Sequence, residues 1–329
     1  MQVKWHGETS SVRKINGGGP QGATYGNLEF LAQSNHNSDC VSPDRRFKFV
    51  DDLSVLEKIY LLIVGLASIN PKLTVPSDIP VHNQFIPPEH LKSQTYLNQI
   101  KEWTDNQKMV LNENKTKVMI FNFTDNYKFT TKLSLNNTTL EIVQKTKLLG
   151  VILTDDLKWD ANTNELVKKA YRRMELLRKV ASFTNSIREL RNIYILYVRS
   201  ILEQSCVVWH SSLTEENKQD LERVQKCAVK IMLGTRYKDY DNALVHVDLE
   251  NLSERRKKLC LKFAKKCLDN KKTESLFPLN KNNHNMESRM TEKFKVKFAH
   301  TERLEQSLIP YMQRLLNSDI NKLKPKLPG

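Results

Sequence analysis

Two adjacent carboxylates, Asp51-Asp52, sit between an alternating Phe47-Lys48-Phe49-Val50 and an apolar Leu53-Ser54-Val55-Leu56. Alternation favours strand and Asp is depleted inside strands, so the spacing predicts a tight hairpin with both acids at its tip. Acids held on such a tip suit a hard divalent cation. Mg²⁺ takes oxygen ligands, one or two carboxylates plus substrate phosphates, and phosphoryl transfer uses two ions to activate the attacking oxygen and steady the leaving one. Taken alone, an Asp-Asp pair is more often a solvated turn. A second feature is Gly17-Gly18-Gly19-Pro20-Gln21-Gly22. Glycines let a ligand approach the backbone, Gln21 offers a donor and an acceptor, and a helix start after it favours phosphate. Alone, this is more often an ordinary Gly/Pro turn.

The elements around these residues read as a mixed N-terminal part and a helical C-terminal part. Residues 1–16 fit a short hairpin, and a helix is predicted from about Ala23 to Ser34. Residues 57–66 look helical, and the proline-rich stretch 70–90 reads as a long exposed loop. Leu91, Tyr96, Leu97, Ile100 and Trp103 recur at helical spacing within 89–109. Asn112 to Thr116 turns the chain before a strand over Val118–Phe123. Phe129–Leu135 and Leu140–Val143 form a hairpin about Asn136-Asn137, and Lys147–Leu153 is a further apolar strand. Beyond Trp159 four helices follow. The first buries Val167, Tyr171, Met174, Leu177 and Ala181. The second carries Leu190, Ile193 and Tyr197. The third is capped by Thr214 and closed by Gly234. The fourth is capped by Ser253 and buries Leu259, Phe263 and Cys267. Past Pro278 the pattern decays into Asn, Lys and Pro, predicting a disordered or weakly helical tail. The expected division is 1–155, 156–272 as a basic helical region, and 273–329 as a basic, weakly structured tail.

Composition sharpens this. The net charge is +15, and +13 of it falls in residues 156–329 against +2 in 1–155. A basic half points to a polyanion, most often nucleic acid. Lys168, Lys169, Arg172 and Arg173 on the first helix and Lys257 and Lys258 on the fourth are the candidate backbone contacts. No run of 18 apolar residues exists, so a membrane partner is not expected, and the start of the chain shows no secretory apolar stretch. The five cysteines (40, 206, 227, 260 and 267) lack metal spacing and read as buried thiols of an intracellular, reducing compartment.

The ordered set of motifs resembles the reverse transcriptase domain of non-LTR (LINE-type) retrotransposons, over roughly residues 2 to 316. Gly19-Pro20-Gln21-Gly22 is followed about 27 residues later by Phe49-Val50-Asp51-Asp52. Asn112 to Met119 looks like the palm segment after the catalytic hairpin. Lys147-Leu148-Leu149-Gly150-Val151 with Leu157-Lys158-Trp159 looks like the primer-grip hairpin. Tyr197–Glu203, Val208-Trp209-His210, Leu221–Lys226 and Glu254–Ala264 continue the match in order. The resemblance implies an α+β fold: a partial palm, as an antiparallel sheet with helices on one face, then an all-α thumb-like region. It implies Asp51 and Asp52 as catalytic and Mg²⁺-binding residues, Phe49 under the primer end, Gln21 and Gly22 bordering nucleotide and template, Lys115 near the triphosphate, and Leu149 and Gly150 at the primer terminus. The partners implied are an RNA template, a DNA primer and deoxynucleoside triphosphates.

The chain departs from that family in one respect that matters. A working polymerase has another catalytic carboxylate on a palm strand before the Gly-Pro-Gln-Gly motif, and Glu8 is the only acid before Gly19. Fingers are missing as well, and Tyr25-Gly26 replaces a small residue plus proline. The expectation is a fragment of an RNA-directed DNA polymerase, inactive alone. The alternatives are a non-catalytic nucleic-acid-binding module and the product of a decayed retroelement.

Overall fold

A computed structural model describes residues 4–5, 8–9, 46–49, 52–55, 82–85, 92–106, 110–122, 127–280 and 293–323; for the first five stretches, 127–129 and 321–323 only the backbone is described. The chain divides into two compact units, Met1–Gln144 and Lys145–Gly329.

In the first unit β1 (Lys4–Trp5) pairs antiparallel with β2 (Glu8–Thr9), as the short-hairpin reading expects. β3 (Arg46–Phe49) pairs antiparallel with β4 (Asp52–Val55). β5 (His82–Phe85) lies inside the stretch read as a loop, and it pairs in parallel with β7 (Tyr127–Thr130). Between them come α1 (Lys92–Asn106) and β6 (Lys117–Val118). The hairpin of β8 (Ser134–Leu135) and β9 (Thr138–Thr139) turns on Asn136 and Asn137, with φ of 49° and 62°. Two consecutive left-handed residues make the turn that matches strand twist, and Asn tolerates that conformation best after Gly. β10 (Glu141–Ile142) runs parallel to β6.

The Gln94 side chain fastens α1 to β8 in both directions: its amide donates to the Ser134 carbonyl (3.0 Å) and its oxygen accepts from the Ser134 N–H (2.9 Å). Leu133, Leu135 and Leu140 bury a small core against Leu97, Leu111 and Val118. The antiparallel sheet expected here is not what the described residues form. They make two-stranded pairs only, two of them parallel. The expected helices at 23–34 and 57–66 lie outside the described residues.

The second unit opens with a hairpin and continues as helices. β11 (Lys145–Leu148) and β12 (Val151–Thr154) pair antiparallel. α2 (Asp160–Ala181) follows. Then come α3 (Ile187–Ile193), a π-helical turn over Tyr194–Arg199, and α4 (Ser200–Leu202). Ser205, at φ 51°, breaks the run before α5 (Cys206–Trp209). α6 (Glu215–Leu233) has Thr214 as its cap, whose hydroxyl accepts from the Asn217 N–H, and ends at Gly234 with φ 53°. α7 (Tyr240–His246) and α8 (Leu252–Leu268) complete the bundle.

Its core joins Leu166, Ala170, Met174 and Leu177 of α2 to Tyr194, Val198, Leu202, Trp209, Leu221, Val224, Ala228 and Leu252. The buried stripe of α2 runs through Leu166, Ala170, Met174 and Leu177, with the expected Val167 and Ala181 packed at its edge, while Tyr171 is 38% exposed. A bare methyl at Ala170 lets α6 approach closely. The cap of α8 is Asn251, whose side chain accepts from the Ser253 N–H, in place of the expected Ser253. Its Phe263 is 42% exposed, while Arg256 is fully buried.

The tail departs from the weakly structured expectation. After α9 (Glu302–Glu305), α10 (Leu308–Leu323) forms a 16-residue helix. Pro310 lies within its first turn, where the missing N–H costs nothing. Met312 and Leu316 pack with Phe277, Phe294, Ala264 and Cys267 into a second core.

Candidate nucleic-acid interface

The β3–β4 register places Phe49 opposite Asp52, so two residues, Val50 and Asp51, separate the paired ends. That is the shortest common hairpin connection, and it sets Asp52 at the first position of β4. Asp51, Gln21 and Gly22 lie outside the described residues. Lys115 is exposed in a turn whose N–H donates to the Asn112 carbonyl (3.2 Å) and side chain (3.1 Å). Glu113, beside it, accepts from Asn136 (2.6 Å) and Thr138 (3.1 Å), which ties this turn to the β8–β9 hairpin. Among the described residues, no three His, Cys, Asp or Glu side chains converge as a metal site. The two acids of one hairpin are fewer than a two-ion site takes.

Leu149 and Gly150 are themselves the two-residue turn of β11–β12, at φ 48° and 87°. Leucine pays for that left-handed conformation, and its side chain is nonetheless 52% exposed at the tip. A Cβ on Gly150 would stand 2.7 Å from the Gln204 side-chain nitrogen. The base of the hairpin is fixed to α2: the Ile152 N–H donates to the buried Asn162 side chain (3.1 Å). Hydrogen bonds from the Thr154 hydroxyl and the Lys158 N–H hold Asp156 below the usual carboxylate range, despite some burial. Lys145 and Lys147 share the exposed face of β11, and neither has a carboxylate within 4.0 Å among the described residues. The alternation Lys145-Thr146-Lys147-Leu148 is the sequence signal for that face.

On α2, Lys168, Arg172 and Arg173 are exposed with no carboxylate in reach among the described residues, whereas Lys169 faces Glu165 at 3.4 Å. On α8, Lys257 is exposed and unpaired in the same sense, while Lys258 is bound to Glu250. Glu250 also meets Arg255 (3.6 Å), which in turn meets Glu203 (3.0 Å), itself 3.4 Å from Arg199. So the two helices bring some cations to solvent free and neutralise others.

Beneath them lies a buried polar chain. The Tyr194 hydroxyl donates to Gln225 (2.6 Å), whose amide donates to the Tyr240 oxygen (3.0 Å) and the Glu250 carbonyl (2.9 Å). Tyr240 donates to Glu222, which also accepts from the Leu252 N–H (3.1 Å). Burial raises the Glu222 carboxyl, against the hydrogen bond from Tyr240 and the charge of Arg256. Burial likewise pushes Tyr194 and Tyr240 well above the ordinary phenol range. This network pins the π-turn, α6, α7 and α8, with Tyr194 and Gln225 fully buried and Glu222 and Tyr240 half-buried.

Comparison with protein-family models, with curated proteins and with solved structures found no match in any of the three.

Proposed function

We propose that this chain derives from the reverse transcriptase domain of a non-LTR retrotransposon: a partial palm followed by a thumb-like helical unit that grips nucleic-acid backbone, without polymerase activity of its own. The observation that carries the reading is the β3–β4 pairing. It is the two-residue hairpin that Phe49-Val50-Asp51-Asp52 requires in that family, and Asp52 heads its second strand. The β11–β12 turn supports it, because Leu149 and Gly150 stand at the tip, where a primer-holding hairpin needs its contact residues.

In this reading Asp51 and Asp52 would hold a Mg²⁺ ion, and that ion would supply charge neutralisation at a transferring phosphate. Phe49, Gln21, Gly22 and Lys115 border the nucleotide, and an RNA template and DNA primer lie along the basic helices. Glu8 is the sole acid before Gly19 in these 329 residues, so a polypeptide of these residues alone does not supply a second bridging carboxylate, and without one the barrier rises by several kcal/mol. Primer extension on an RNA template with Mg²⁺ and deoxynucleoside triphosphates is expected to show no incorporation. Incorporation that Asp51→Ala abolishes overturns the inactivity.

A second reading, a binding module without chemistry, is favoured by Lys168, Arg172, Arg173 and Lys257, exposed and without a carboxylate in reach among the described residues. No helix among the described residues is long and apolar enough to cross a membrane.

A further inference from the structure

The segment between the two halves of the tail is an extended strip with an unusual amount of support. Lys293, Lys295 and Lys297 are exposed, while Phe294 is buried and Val296 half-buried between them. Every second residue is therefore a lysine on the outer face. The backbone beneath is held from two sides. On one side the Lys295 N–H donates to the Pro278 carbonyl (2.8 Å) and the Lys293 carbonyl accepts from the Asn280 N–H (2.9 Å), with Leu279 bridged to Phe294.

On the other side, two amides of α10 grip it. The buried Asn317 accepts from the Phe294 N–H and donates to the Phe294 carbonyl, both at 2.9 Å. Gln313 accepts from the Lys297 N–H (2.9 Å) and donates to the Leu276 carbonyl (2.8 Å). Buried amides used to fix an extended backbone are costly to desolvate and strongly constraining once paired. The lysine spacing is thereby fixed at two residues of extended chain, about 6.6 Å, the order of the step between neighbouring phosphates of an extended single strand.

Two further features mark what the strip fits. Lys293 leans over the Phe294 ring (5.8 Å), and no carboxylate lies within 4.0 Å of Lys295 or Lys297 among the described residues. Glu292 adjoins Lys293 in sequence and lies outside the described residues; on the other side the next acid is Glu302, which opens α9. At the C-terminal end Phe298 is 76% exposed, with His300 edge-on to it at 4.8 Å. An exposed aromatic ring braced by a second ring is a stacking surface for an unpaired base. A fixed row of cations leading to it is the backbone track that single-strand binders place beside such a surface.

We propose that Lys293, Lys295 and Lys297 with Phe298 and His300 form a binding strip for single-stranded nucleic acid, the lysines taking successive phosphates and Phe298 stacking on a base. The strip rests on nucleic acid as the partner but not on the palm resemblance. It is separate from Lys168, Arg172 and Arg173.

The test is fluorescence-anisotropy titration of the full chain with a labelled oligothymidylate of about 16 nucleotides and with a duplex of equal length, across a salt series. Replacing all three lysines with Gln is expected to weaken single-strand binding by about tenfold or more and to lower the salt slope by about two, since each phosphate contact on a single strand adds about 0.7. Replacing them with Arg is expected to preserve binding. Phe298→Ala is expected to weaken single-strand binding about tenfold while sparing the duplex.

Lys168→Gln with Arg172→Gln serves as the comparison. If that pair weakens binding and the strip variants do not, the strip is refuted and the helical reading stands. Equal losses on duplex and single strand, with no effect of Phe298→Ala, overturn the single-strand assignment. An unmodified chain that binds neither probe at low salt overturns both readings.

Discussion

At the scale of single residues, the least expected arrangement is Arg256 buried beside His210. The Arg256 Nε donates to His210 Nδ1 (3.4 Å), its guanidinium lies 5.8 Å from the Trp209 ring, and its two terminal nitrogens have no hydrogen-bond partner among the described residues. An acceptor at Nδ1 requires a neutral imidazole with its proton on Nε2. Burial, reinforced by the Arg256 charge, pulls His210 from 6.5 to about 3. The sign follows from linkage. The unfolded chain takes up this proton near pH 6.5 and the folded chain does not, so the stability His210 permits is complete above that pH and is lost progressively as pH falls toward 3. Between pH 7.5 and 5 the loss amounts to about 2 kcal/mol. Glu222 works in the opposite direction, because a raised carboxyl gains a proton in the folded state first. A His210→Gln variant keeps an acceptor for Arg256 and lacks the titration. Urea unfolding at pH 7.5 and pH 5 is expected to show the unmodified protein losing about 2 kcal/mol more than the variant; parallel losses would sink the assignment. None of this was legible in the sequence, because an arginine on a basic helix reads as solvated unless its partners are known.

At the scale of elements, the hairpin of β11 and β12 separates what a turn needs from what a binding site needs. Its two turn residues both sit at positive φ, and Asn-Gly is the pair that conformation favours. Leu149 is therefore a poor turn residue with an exposed apolar side chain, a combination that stability alone does not select. Leu149→Asn is expected to stabilise the fold by about 0.5–1 kcal/mol, from relief of left-handed strain, while weakening binding of a primer–template duplex. Gly150→Ala is expected to destabilise it by about 1–2 kcal/mol, since φ is 87° and the new methyl meets Gln204. Chemical denaturation reads the first effect and duplex titration the second. A Leu149→Asn protein that is more stable and binds unchanged would make the turn purely structural. The sequence read this hairpin's position and the Asn136-Asn137 turn well, because two-residue turns leave a local signature. On α2 it placed Met174 and Leu177 in the core but put Tyr171 on the buried face, where the small Ala170 takes the interface instead. It missed α10 although Leu308, Met312, Leu315 and Leu316 recur at helical spacing, because the surrounding Asn, Lys and Pro suggested disorder. The amide grip of Gln313 and Asn317 has no local signature at all.

At the scale of the whole molecule, the two compact units divide at Gln144–Lys145, eleven residues before the boundary of 155 that the change of composition suggested. Strand-like composition assigned the β11–β12 hairpin to the N-terminal part, but its contacts belong to the helices. Val151 is 8% exposed within the helical core, Leu153 packs against it, and the Ile152 N–H is bound by Asn162 of α2. Both hydrophobic clusters of the second unit lie wholly within 145–329, and the small cluster of the first lies wholly outside it. A unit with its own closed core folds independently. The polypeptide 145–329 is therefore expected to unfold in one cooperative transition, with the same midpoint in urea as the helical signal of the full chain. The polypeptide 156–329 keeps every helix but exposes the groove where Val151 sits and leaves Asn162 without its backbone partner. One lost buried aliphatic side chain and one orphaned amide together cost about 3–5 kcal/mol. That is a large part of the stability of a domain this size, so the shorter piece is expected to show a midpoint far lower or a broad, non-cooperative transition by circular dichroism. Equal midpoints for the two pieces would mean that the hairpin belongs to the N-terminal unit after all, as the composition alone suggests.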